Sequence, residues 1–427
     1  MSLPLAGDRP QLQVHRTVLN NGLVVLAMEN PSADIIAARI FVRVGTRYEA
    51  PEQAGITHLL TAVMTKGTDR LSSMEIAERV ETVGASLGAD SATDYSIMSL
   101  KTVSYDFPEM LALAAELLRS PSFPEAEVDL ERRLTLQGLR SMQEQPFNVA
   151  QKQLRQAMYR NHPYALSSMG TEESITTLQR GDLQRYHQTY FRPDNIVISI
   201  AGRITPEQAI ALVEQTFGDW VNPEGGAAPT ADGLPELQPQ PQVVKTAQDT
   251  QQAIVMLGYL APSIHNPDYT SLRLINTYLG NGLSSRLFVE LREKQGLAYD
   301  VSTIFPTRIS TSQFIAYIGT APSNAAIALE GLQREINYLR DNPLTSEELE
   351  VAKNKYLGQY ALGKQTNAQI AQVYGWYEIL GAGIDFDQRF QVAFSAVTAE
   401  DVQEVANRYF VEPYVSLVGP EMAIAQA

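Results

Sequence analysis

Gly181-Asp182-Leu183-Gln184-Arg185-Tyr186-His187-Gln188-Thr189-Tyr190-Phe191 returns, at one constant separation, as Glu400-Asp401-Val402-Gln403-Glu404-Val405-Ala406-Asn407-Arg408-Tyr409-Phe410. Each copy reads as a helix that closes on an aromatic pair. An apolar run then follows each, NIVISIAG at 195–202 and YVSLVG at 414–419. Runs of that length read as strands entering a sheet. A helix-then-strand unit occurring twice makes the chain a tandem duplication.

A similar separation links two earlier helices. Phe123-Pro124-Glu125-Ala126-Glu127 opens one that runs through Arg140. Leu344-Thr345-Ser346-Glu347-Glu348 opens another that runs through Leu362. Polar or acidic residues in the first turn favour both starts. The repeated unit is about 200 residues long, within the usual domain range. The stretch 218–244, GDWVNPEGGAAPTADGLPELQPQPQVV, is rich in Gly, Pro and Gln and has no periodicity, so it reads as an exposed linker. Expected domains are residues 1–220 and 246–427, joined by 221–245.

Within the first half, strands are expected at 23–28 (LVVLAM), 35–44 (IIAARIFVRV) and 96–103 (SIMSLKTV). Helices are expected at 54–66, 73–84, 107–119 and 124–143. Strands and helices are mixed rather than strictly alternating. The fold class is therefore α+β, two homologous domains, each a mostly antiparallel sheet packed with helices.

The 427 residues include 44% apolar and 19% charged side chains, which fits a soluble globular chain and argues against disorder. With no cysteine, disulfides and thiolate metal sites are excluded. The opening MSLPLAGDRPQLQVHR has no apolar h-region, so no signal peptide is expected. No apolar run is long enough to cross a bilayer. These readings lead to an expected cytoplasmic location and no membrane partner. The net charge of −15 disfavours binding to nucleic acid.

The segment Gly55-Ile56-Thr57-His58-Leu59-Leu60-Thr61-Ala62-Val63-Met64-Thr65-Lys66-Gly67-Thr68 resembles the helix of the M16 peptidases, the pitrilysin and mitochondrial-processing-peptidase (inverzincin) family. That family uses His-x-x-Glu-His followed by Lys-Gly-Thr. Gly55, His58 and Lys66-Gly67-Thr68 are in register, but the Glu position is Thr61 and the second His position is Ala62. The resemblance implies a third ligand, a Glu seven residues after another Glu on a later helix. Glu131 matches the first of these, and Gly138 stands at the ligand position. One imidazole cannot build a catalytic zinc site, which needs three protein ligands and a water. Thr61 is no general base at neutral pH. The other histidines, His15, His162, His187 and His265, offer no partner at ligand spacing. No metal is therefore expected in this chain.

A second string resembles the C-terminal half of the same family. It reads Gly280-Asn281-Gly282-Leu283-Ser284-Ser285-Arg286-Leu287-Phe288, then Glu290-Leu291-Arg292-Glu293-Lys294-Gln295-Gly296-Leu297-Ala298-Tyr299. It is not a phosphate loop, since it lacks Gly-Lys-Ser/Thr. The resemblance implies that Arg292 and Tyr299 contact a bound peptide beside the zinc of the opposite half or subunit. A guanidinium offers a fixed fork of donors, and a phenol can donate to a carbonyl becoming an oxyanion. Read singly, Arg292 could pair with Glu290 or Glu293 on an exposed helix, and Tyr299 could be a core aromatic. The whole string favours the functional role.

Asn161-His162-Pro163-Tyr164 with Gly170-Thr171-Glu172-Glu173-Ser174-Ile175, and Asn20-Asn21-Gly22-Leu23, extend the likeness from about residue 15 to 420. The resemblance implies the LuxS/MPP-like metallohydrolase fold. It also implies a sheet edge near Gly88-Ala89-Asp90-Ser91 where a peptide adds as a strand. The expected function is a non-catalytic, substrate-contacting subunit of a heterodimeric zinc metallopeptidase, inactive alone. Its partner would be a homologue with intact His-x-x-Glu-His that carries the zinc, with a homodimer forming when the chain is purified alone. The alternative is a scaffold or peptide-binding protein like the core subunits of the bc1 complex. No elbow, cysteine nucleophile, dinucleotide fingerprint or Walker loop supports a different enzyme.

Overall fold

The computed structural model describes residues 12–426 except 225, 232, 233 and 235. Most of the opening stretch read for a signal segment, and four positions of the linker, lie outside the described residues. Eleven strands are described. The first sheet contains β1 (His15–Val18), β2 (Val24–Glu29), β3 (Ile35–Val42), β4 (Ser86–Ser91), β5 (Ser96–Val103) and β6 (Ile196–Gly202), in the order β1-β2-β6-β3-β5-β4. The second contains β7 (Val243–Ala247), β8 (Ala253–Ala261), β9 (Asp300–Ile304), β10 (Ser312–Thr320) and β11 (Tyr414–Gly419), in the order β7-β11-β8-β10-β9. Apart from the extra β1, the two orders are one topology written twice. β2–β6 and β7–β11 are parallel pairs, and every other pairing is antiparallel.

The helices of the first half are α1 (Ile56–Val63), α2 (Ser73–Thr82), α3 (Phe107–Arg119), α4 (Glu125–Glu144), α5 (Pro146–Tyr159), α6 (Glu172–Thr177), α7 (Arg180–Tyr190) and α8 (Pro206–Phe217). Those of the second half are α9 (Tyr269–Gly280), α10 (Ala325–Asp341), α11 (Ser346–Leu362), α12 (Asn367–Ile379), α13 (Phe386–Ala396), α14 (Ala399–Tyr409) and α15 (Glu421–Gln426). The repeated aspartate begins α7 and α14 in the same way. Gln179 N donates to Asp182 Oδ2, and Thr398 N donates to Asp401 Oδ2, both at 2.8 Å. Each bond satisfies a backbone donor that a helix start leaves free. The closing aromatics Phe191 and Phe410 are buried.

The halves exchange helices. α12 packs on the first sheet, where Ile370, Ala371 and Tyr374 share a core with Val24, Leu26, Phe41 and Val197. Gly375 permits the contact. A side-chain carbon built there would lie 2.3 Å from Phe41 Cε2 and 2.8 Å from Ser199 Cβ. α5 makes the reciprocal contact with the second sheet. Its Ala150, Leu154 and Met158 join Ile254, Met256 and Tyr414, and Gly258 on β8 gives them room. Burying a side chain the size of Leu154 or Met158 contributes about 1.5–3 kcal/mol. Each sheet therefore depends on a helix from the other half for one of its faces. No described helix is long and apolar enough to cross a membrane.

Candidate functional site

The start of α1 is built around a buried carboxylate. Gly55 N and Thr57 N donate to Glu49 Oε2 and Oε1 at 2.8 and 3.0 Å. They are two of the backbone donors that open the helix. Glu49 is buried, and desolvation pushes its pKa up to about 7 against the pull of these bonds. Gly55 is glycine for two reasons. Its φ of 87° is left-handed, and a side chain there would meet Gly170 N and Met169 O at 2.8 Å. The loop carrying Met169 is thus docked against the entry to α1.

His58 follows on α1, half-buried. Burial holds its pKa below the ordinary imidazole value, while Asp90 and Glu131 pull it upward. Thr61 is 2% exposed. Its hydroxyl turns back onto the helix, 3.0 Å from both Thr57 O and His58 O, so it is engaged locally. Ala62, one turn after His58, has no donor atom.

On α4, Glu131 faces Lys66 Nζ at 3.8 Å. Gly138 lies seven residues on, where the resemblance places the third ligand. A side-chain carbon built at Gly138 would lie 2.8 Å from Met169 Cε. The terminal methyl of Met169 therefore lies against position 138 and would have to move to admit a side chain there. Zinc does not fit this donor set: His58 is the one imidazole, Thr61 is turned inward, and positions 62 and 138 offer nothing. Among the described residues, no three His, Asp or Glu side chains converge closely enough to hold an ion. The remaining buried histidines are structural. His162 Nδ1 accepts from Tyr164 N at 3.1 Å, and His187 Nε2 lies 2.9 Å from Leu118 O. Burial lowers both pKa values to about 4.

In the second half, Gly280 ends α9 rather than opening a helix, and its close neighbour is Thr303, 2.3 Å from a built side-chain carbon to the backbone N. Arg286 is spent internally. It pairs with buried Glu335 at 2.9 Å and lies over the Tyr338 ring at 3.5 Å. Arg292 differs. It sits exposed on a π-helical turn, Phe288–Glu293, with its guanidinium 5.0 Å from the Phe288 ring. Glu290 is taken by Lys294 at 2.8 Å, so Arg292 is not half of that ion pair. Tyr299 is 59% exposed and is not a core aromatic. Its backbone N–H is held by Gly319 O at 2.8 Å, just before β9 begins. The backbone fixes the tyrosine while its ring stands in solvent.

Strand β4 is the last strand of the first sheet, paired only with β5 on its inner side. Gly88 and Asp90 therefore stand at a sheet edge, beside α1 and His58. Neither the Met169 wedge nor the Glu49 anchor is apparent from spacing. Met169 comes from a segment remote in sequence from Gly138, while Glu49 reaches back from the turn just ahead of α1.

Two homologous sheet-and-helix halves, with a helix that carries His58 but no imidazole or carboxylate at positions 61 and 62, define a metallohydrolase-like fold. Comparison agrees on the lineage. Residues 24–172 match Insulinase (Peptidase family M16), and residues 177–356 match the Peptidase M16 inactive domain. The chain belongs to the M16 peptidase family. Relatives include the uncharacterized zinc protease YmxG of Bacillus subtilis, 28% identical over 95% of this chain and 98% of that one. An uncharacterized zinc protease of Streptomyces coelicolor is 26% identical over 95% of this chain and 90% of that one. Among solved structures, the peptidase M16 inactive domain from Pseudomonas fluorescens superposes with a TM-score of 0.89 at 24% identity, covering 96% of this chain and 98% of that one. A protease from Helicobacter pylori also reaches 0.89, at 23% identity, with 96% and 100% covered.

Proposed function

We propose that this chain is the non-catalytic, substrate-contacting subunit of a two-chain M16 zinc peptidase. A homologue with intact His-x-x-Glu-His supplies the zinc and the general base. This chain supplies Arg292 and Tyr299 and closes a chamber around an unfolded peptide or presequence. In the partner's absence it forms a homodimer. A cytoplasmic setting is part of the same proposal and is checked by cell fractionation.

One contrast carries the reading. Positions 61, 62 and 138 carry no imidazole or carboxylate, while Arg292 and Tyr299 are exposed and, among the described residues, their side chains make no hydrogen bond or ion pair. A guanidinium fork can hold peptide carbonyls, and the phenol can donate to a developing oxyanion. The test is a reconstituted pair carrying Arg292→Ala or Tyr299→Phe. A fall in kcat/KM with intact assembly supports the reading. Loss of the zinc donors alone equally suits a scaffold or peptide-binding protein like the bc1 core subunits, and unchanged kcat/KM in both variants would favour that role.

A further inference from the structure

We infer that the cleft between α4 and α5 is a binding site for a peptide carboxylate carried on or beside an apolar side chain. The cleft has a volume of about 290 Å³. Leu139, Met142 and Val149 form its apolar wall, while Lys152, Arg155 and Ser167 supply polar groups. Among the described residues, no Asp or Glu lines it. In a chain of net charge −15, a cleft with two cations and no acid runs against the average.

Both cations are unpaired in the described structure. The nearby Glu172 is engaged by Arg140 at 4.0 Å. Arg155 Nε donates to Ala165 O at 3.3 Å, which orients the guanidinium and leaves its terminal nitrogens free. Arg155 is half-buried, and burial and the neighbouring Arg308 both disfavour its charge.

Arg308 comes from the second half and lies over the Tyr164 ring at 5.3 Å. The carboxylate of this seam, Asp94, faces Arg308, whose charge favours its ionised form. It accepts from Tyr164 Oη at 2.5 Å and from Ile309 N at 3.4 Å. Arg155, half-buried and repelled by Arg308, carries a free-energy cost that a bound anion would reduce. A ligand carboxylate would make charge-assisted bonds to Lys152 and Arg155. The adjacent apolar wall suits one large side chain.

Two of its lining residues, Leu139 and Gly170, are the chain neighbours of Gly138 and Met169. The inference extends the peptide-contacting role proposed above by naming a class of peptide. It is tested on this chain alone, so failure of the partner reading leaves it open to its own trial.

The experiment is calorimetric titration of the full-length chain with four N-acetylated pentapeptides. One ends in leucine with a free carboxylate. The second is its C-terminal amide. The third and fourth are amides with glutamate or lysine beside the leucine. The free acid, the glutamate peptide or both should bind about tenfold tighter than the neutral and lysine amides. Whichever binds tighter assigns the carboxylate to a chain terminus or to a side chain. Lys152 is exposed, so Lys152→Glu should keep the fold by circular dichroism and reverse the preference towards the lysine peptide. Arg155→Lys, which keeps the charge, should retain the preference. Equal binding of acid and amide, tighter binding of the lysine peptide, no binding of any peptide, or an unchanged preference in Lys152→Glu would overturn the inference.

Discussion

Replacing Glu49 by glutamine separates the anchor of α1 from its charge. The unfolded carboxyl titrates near 4.5 and the folded one at about 7, because burial disfavours the anion. Between these values the folded chain binds the proton more tightly than the unfolded chain. The stability Glu49 contributes is therefore fully present below pH 4.5 and is lost as pH rises through 7. The gap corresponds to about 3 kcal/mol. Glutamine cannot ionise, so this slope disappears. It also turns an amide donor towards Gly55 N or Thr57 N, at a cost of about 1–3 kcal/mol. Glu49→Gln should thus be the less stable protein at pH 5, and the order should close or invert at pH 8. Urea denaturation of both proteins across that range measures the difference. A difference that stays constant with pH would show that Glu49 titrates at its ordinary value and that its burial has been misjudged.

Thr61→Glu/Ala62→His/Gly138→Glu restores the donor types but should take up little zinc. Adding Met169→Ala, which clears the space beside Gly138, should raise the metal content measured by mass spectrometry. Gly375→Val drives a carbon into Phe41 and should cost about 3 kcal/mol in urea denaturation, because α12 cannot then seat on the first sheet. Arg292→Ala and Tyr299→Phe lie on exposed surface and should change stability by less than about 0.5 kcal/mol. Any fall in activity they cause in a reconstituted pair then belongs to the site and not to the fold. In that pair, loss of the Tyr299 hydroxyl should lower kcat by about a hundredfold if it donates to the oxyanion.

Much of the fold was legible because local chemistry and tertiary role coincide in it. The Asp182 and Asp401 copies cap equivalent helices, and Phe191 and Phe410 close them, so the repeat was visible as a pattern of residue types. The predicted helix at 107–119 and strand at 96–103 coincide with α3 and β5, both strongly patterned. The helix read at 54–66 is shorter, Ile56–Val63, because left-handed Gly55 blocks its entry and the chain turns after Met64.

The helix exchange was not legible. α5 and α12 are amphipathic or apolar segments, and nothing in such a pattern says which sheet will receive them. That positions 61, 62 and 138 offer no imidazole or carboxylate could be read from Thr61, Ala62 and Gly138 as residue types. The filling of the Gly138 space by Met169 could not, since it depends on two glycines, Gly55 and Gly170, bringing remote segments together. The α4–α5 cleft was hidden for the same reason: its cations and its apolar wall come from two helices and a loop.

The most direct measurement is cleavage of an unfolded peptide by this chain, alone and after mixing with the His-x-x-Glu-His homologue from the same source, with and without EDTA. The partner-subunit reading predicts no cleavage by the pure chain. It predicts EDTA-sensitive cleavage in the mixture well above that of the homologue alone. Robust EDTA-sensitive cleavage by the pure chain, or a mixture no more active than the homologue, would contradict it.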